Sequence, residues 1–106
     1  MIQIDDDVTR RYFKESVKLD MLCFAGTPLS TNLPPYQPVL SINTDAIALM
    51  LGEIRINSCC HCEWRFVAIQ NIAQSEGLEI PKVTKGSCDQ TKRTFREWGE
   101  KYGFID

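Results

Sequence analysis

The chain has 106 residues, 43% of them hydrophobic and 25% charged, which fits one globular domain over 1–106 and excludes both a two-domain layout and wholesale disorder. Twelve Lys and Arg against 14 Asp and Glu leave a formal net charge of −2, without the basic excess of a general polyanion binder. No run approaches the ~20 apolar residues of a membrane-spanning helix.

The N-terminus, Met1 to Asp7, is acidic and lacks the basic and apolar regions of a signal peptide. A cytoplasmic location is therefore expected, with the five cysteines kept reduced there; an odd number cannot all pair within one molecule. Asp5, Asp6 and Asp7 are suited to cap a helix and to favour the positive end of its dipole. Val8, Tyr12, Leu19, Leu22 and Cys23 then fall on one side at helical spacing, with Phe13, Val17, Met21 and Phe24 as an adjoining stripe. The pattern predicts a helix over 6–24 with a wide buried face, although 17–24 also alternates as a strand would.

Gly26 to Pro38 carries four of the five prolines and reads as an ordered crossover loop of extended character. Pro35-Tyr36-Gln37-Pro38 matches a P-x-x-P ligand pattern, but no basic residue flanks it closely, so a packed spacer is the better reading. Asn43 and Thr44 are suited to cap a helix starting near Asp45, with Ile47, Leu49, Met50, Leu51 and Ile54 as its core. Gly52 is placed to end it early and leave 53–57 as a short strand. Between Glu63 and Ser75, Phe66, Ile69, Ile72 and Ala73 share one face, with Gly77 as the C-terminal cap. Ser87-Cys88-Asp89-Gln90 is a capping box, and Phe95, Trp98 and Tyr102 follow at helical spacing up to Gly103. The fold expected is all-α: a compact four-helix domain with a Pro-rich crossover loop. The alternative is a small α+β domain with strands at 17–24, 39–43 and 53–57.

Two constellations suggest chemistry. Cys59-Cys60-His61-Cys62 places a C-x-x-C pair ahead of a helix, where the dipole lowers a thiol pKa. As a zinc site it would draw on Cys59, Cys62, Cys88 and Cys23, or on His61. As a redox pair it lacks the strands of a thioredoxin-like sheet, and ordinary packed thiols in a reducing compartment need no such completion. The second constellation is Ile72, Ala73, Gly77, Leu78 and Val83, which echo a helix-turn-helix. Glu76 sits where an apolar residue should pack, however, and Pro81 and Gly86 interrupt the recognition helix. Lys92, Arg93, Arg96 and Lys101 in the last helix are diluted by Asp89, Glu97 and Glu100.

There is one histidine, and no G-x-S-x-G, phosphate-binding glycine loop or HExxH occurs. The chain reads as a non-enzyme with no cofactor and no resident metal. The expectation is a small soluble regulator or inhibitor that docks on a larger protein or complex. A phage- or plasmid-encoded inhibitor of host machinery is one home for such a chain. A helix-turn-helix-like DNA-binding regulator and a small zinc or thiol protein are the alternatives. Tyr36, Trp64 and Trp98 are the aromatic candidates for partner anchors, with Arg93 and Arg96 as charged ones.

Overall fold

The computed structural model of the protein describes residues 4–26, 34–56, 63–84 and 87–105. Among them the chain forms five helices and no strand: α1 (Asp6–Phe24), α2 (Tyr36–Ile42), α3 (Thr44–Ile56), α4 (Glu63–Ser75) and α5 (Cys88–Lys101). The class is all-α, with one helix more than the pattern predicts. The extra helix is α2, which begins inside the supposed loop. Pro38 is its third residue, and the first N–H groups of a helix have no acceptor within it, so a proline there removes nothing. The extended reading therefore fails from Tyr36 onward.

Gly52 does not end α3 either. The helix continues through it to Ile56, because the ~1 kcal/mol a mid-helix glycine costs is outweighed by burying Met50, Leu51 and Ile54 around it. The three proposed strand segments are accordingly helical wherever they are described, apart from Asn43. Asn43 makes the break between α2 and α3 with φ 68, a left-handed value that asparagine tolerates better than most residues.

Other end signals work as the sequence predicts. Asp5 accepts the Asp7 N–H at 2.9 Å, and Ser87 Oγ accepts the Gln90 N–H at 3.3 Å. Gly77 and Gly103 take φ +71 and +79 just beyond α4 and α5, conformations that cost glycine little.

Helix α3 is the hub and packs against all four others. Its approach to α5 is closest at Gly99, where an added Cβ would lie 2.5 Å from Leu51 Cδ1. Residues 78–84 contain no helix but are stitched down by side chains. Gln70 Nε2 donates to Pro81 O at 2.9 Å, Trp98 Nε1 donates to Glu79 O at 2.7 Å, and the Thr84 N–H donates to Thr91 Oγ1 at 2.8 Å. A helix-turn-helix needs its second helix directly after Gly77, and this segment stands in its place.

Candidate docking surface

Helix α1 has two apolar faces, and the fold treats them differently. Tyr12, Ser16 and Leu19 are buried. Phe13, Val17, Met21 and Phe24 are 42, 56, 66 and 72% exposed. The prediction that both stripes merge into one buried face is therefore incorrect for the second. At 3.6 residues per turn, Val17 lies roughly 140° around the helix from Tyr12, too far for one packing partner to cover both.

What holds the inner face is a polar knot around Arg65, whose side chain is fully buried. Its guanidinium forks onto Asp20 of α1, with Nη1 to Oδ1 at 2.9 Å and Nη2 to Oδ2 at 3.0 Å. It forks again onto Glu53 of α3, with Nε to Oε1 at 3.2 Å and Nη2 to Oε2 at 3.0 Å. Trp64 Nε1 donates to Asp20 Oδ1 at 2.8 Å, and the Tyr12 hydroxyl donates to Glu53 Oε1. The guanidinium carbon also lies 4.3 Å from the centroid of the Trp64 ring, within cation–π range.

Burial opposes the charge on Arg65, but the hydrogen bonds it donates to Asp20 and Glu53 overcome it and hold its pKa above the ordinary value. Burial, with the Glu53 charge beside it, pushes the Tyr12 hydroxyl well up. No buried side-chain polar atom among the described residues lacks a hydrogen-bond partner, so the knot is closed.

The outer face leads into a groove between α1 and α2. Its wider part, about 830 Å³, is lined by Met21 and Leu22 of α1, by its cap Ala25 and by Pro34, Pro35 and Pro38, with Glu15 and Lys18 also in the lining. A narrower part of about 200 Å³ adjoins it at Glu15 and Pro38, between Arg11 and Lys14 on one side and Ser41 and Ile42 on the other. A separate depression of about 440 Å³ between residues 79–82 and α5 has a mixed lining that includes Glu79, Lys82, Glu97 and Lys101. There Lys101 Nζ donates to Glu79 at 2.8 Å, which lowers the carboxyl pKa and raises that of the amine.

The residues singled out from sequence do not come together. Tyr36, Trp64 and Trp98 are 1, 0 and 5% exposed, so their rings are core and offer a partner no surface. Burial raises the Tyr36 hydroxyl pKa, and that hydroxyl donates to Trp64 O at 3.2 Å. Arg93 and Arg96 are exposed on α5, with Asp89, Glu97 and Glu100 at helical neighbour spacing. Cys23 is half-buried on α1 and Cys88 is exposed at the start of α5. Cys59, Cys60, His61 and Cys62 lie outside the described residues. Among the described residues, no group of three His, Cys, Asp or Glu is placed to hold a metal ion. No helix among them is long and apolar enough to cross a membrane. No known protein family, curated protein or solved structure matches the chain.

The surface that stands out is α1's outer stripe, whose spacing in the sequence reads as core and not as an anchor. One signal was available: the two apolar stripes lie too far apart around one helix for a single partner to cover both.

Proposed function

We propose that this protein is a binding module, a regulator or inhibitor that acts by docking on a larger protein through the outer face of α1 and its groove. The observation that carries this reading is the line Phe13, Val17, Met21 and Phe24, four large apolar side chains between 42 and 72% exposed on one helix. A contiguous apolar patch on a small protein marks an interaction surface, whereas scattered apolar residues do not. The anchors of such an interface are its buried aromatic and aliphatic side chains, and Phe13, Met21 and Phe24 take the role assigned from sequence to Tyr36, Trp64 and Trp98.

A photo-crosslinking residue placed at Val17, or at Arg93 as a comparison, tests this in the cells the protein comes from. The expected result is a protein adduct from position 17. That adduct partner, once purified, should bind the wild-type chain and lose at least tenfold in affinity for a Val17→Asp/Met21→Asp variant of unchanged helical circular dichroism. Adducts from position 93 alone, or a duplex-DNA shift removed by changing Lys92, Arg93 and Arg96 to Ala, would replace this reading with a nucleic-acid one.

A further inference from the structure

The groove beside the stripe has a chemical character that narrows the partner. Its floor and far wall are apolar, built from Met21, Leu22, Ala25, Pro34, Pro35 and Pro38. Its α1 rim carries a cationic excess: Arg11, Lys14 and Lys18 against Glu15, with Asp7 beside Arg11. These cations are lightly held. Lys18 meets Glu15 at 3.5 Å, and Arg11 meets Asp7 at 3.6 Å with side chains 62 and 80% exposed. Lys14 forms no ion pair among the described residues. An exposed pair such as Arg11–Asp7 contributes at most about 1 kcal/mol, so an incoming carboxylate can replace it at little cost. Lys18, itself half exposed, has as its partner a Glu15 carboxylate that is only 15% exposed. The local charge runs against the chain's net −2.

Shape adds a second restriction. From Arg11 to the Ala25 cap the seam runs 14 residue steps along α1, about 21 Å at 1.5 Å per residue, and it is concave where Pro34, Pro35 and α2 face it. A concave seam of that length accepts a rod about four helical turns long. A flat bilayer surface would meet the α1 ridge and leave the seam empty. A second copy of α1 would bring the same cations against these.

Resting on the docking reading above, we infer that the occupant is an acidic amphipathic helix of a partner protein. Its apolar residues at i, i+4, i+7 and i+11 lie in the α1–α2 groove, as in helix-in-groove recognition generally. Its Asp and Glu side chains meet Arg11, Lys14 and Lys18.

The test is a selection from a random 16-residue peptide display library panned on the intact protein, followed by fluorescence anisotropy of the enriched peptides. The expected winners carry more Asp and Glu than Lys and Arg, with apolar residues three and four apart. Lys14→Glu/Lys18→Glu should weaken them at least tenfold, as should Met21→Ser, and the first variant should shift a repeated selection toward basic peptides. Both variants should retain the wild-type circular dichroism spectrum and cooperative melt. Neutral or basic winners that still depend on Met21 would overturn the acidic-helix inference and leave the docking reading standing. Peptides insensitive to Met21, or phosphatidylglycerol vesicles bound tightly through Val17 and Met21 with no groove-dependent peptide, would overturn both.

Discussion

The two faces of α1 make the instructive comparison. Each carries an aromatic ring and aliphatic side chains, yet Tyr12 and Leu19 are fully buried while Val17 and Met21 are more than half exposed. Apolar area alone does not choose between them, since Phe13, Val17, Met21 and Phe24 are at least as greasy as Tyr12, Ser16 and Leu19. The inner face differs in bringing hydrogen-bonding groups, the Tyr12 hydroxyl and the Asp20 carboxylate, to the α3–α4 pair. There they complete a set with Glu53 and Arg65. A buried guanidinium left without partners costs several kcal/mol, so the helix must present the face that carries them. The outer face stays exposed among the described residues.

The largest expected effect breaks the comparison at its centre. Arg65→Met leaves Asp20 and Glu53 facing each other without their cation, and they are only 30 and 17% exposed. Removing one member of a buried ion pair typically costs about 3–5 kcal/mol. The carboxylates' partial hydration places this one near the lower end. Urea unfolding followed by circular dichroism measures it, and a loss under about 1 kcal/mol would mean the knot does not select the inner face.

Tyr12→Phe probes the same knot more gently. It removes one hydrogen bond to a charged acceptor, for which about 1.5–2 kcal/mol is expected at neutral pH. It also has a pH signature. The folded pKa of Tyr12 is raised by burial, with Glu53 beside it, while the unfolded value is about 10. The stabilisation is therefore complete below about pH 10 and is lost as pH rises toward the folded pKa. Urea midpoints between pH 8 and 11 should fall less steeply for Tyr12→Phe than for wild type; identical slopes would show that the buried hydroxyl is not coupled to folding.

A change that does not distinguish the faces serves as the internal standard. Asp5→Ala removes the N-cap bond to Asp7 N–H and should cost about 1 kcal/mol, measurable in the same titration, without altering partner binding. Smallest of all is the effect of the outer face on stability. Val17→Ser/Met21→Ser should change unfolding free energy by no more than about 0.5 kcal/mol, as for exposed sites generally. A loss of 2 kcal/mol would show that the stripe is packed within the molecule, and the docking proposal would lose its surface.

How much of this was readable beforehand varies by element. Helix α5 was legible at both ends, because Ser87 and Gly103 act through contacts a few residues away. The register of α4 followed from the spacing of Phe66, Ile69, Ile72 and Ala73, all of which are buried. Helix α2 was hidden by proline composition, which says that prolines are present but not that Pro38 falls in a first turn. The anchor roles of Trp64 and Trp98 were misplaced because ring area marks core and interface alike. Nothing in the order of residues says that Trp98 Nε1 finds Glu79 O or that Trp64 Nε1 finds Asp20.

What the sequence by itself determined are the short-range features: the all-helical class, the Asp5 and Ser87 caps, the stops at Gly77 and Gly103 and the helix periodicities. These depend on interactions within about four residues, which spacing records directly. Only the tertiary structure decided which face of α1 turns inward and that Arg65 is buried. It also decided that, among the described residues, the outer stripe stays exposed beside a groove with a cationic rim. Those outcomes rest on Tyr12 meeting Glu53 across 41 positions and Arg65 meeting Asp20 across 45. Pairings at such separations are selected by hydrogen-bond satisfaction in the assembled core, and they leave no periodic trace in the chain.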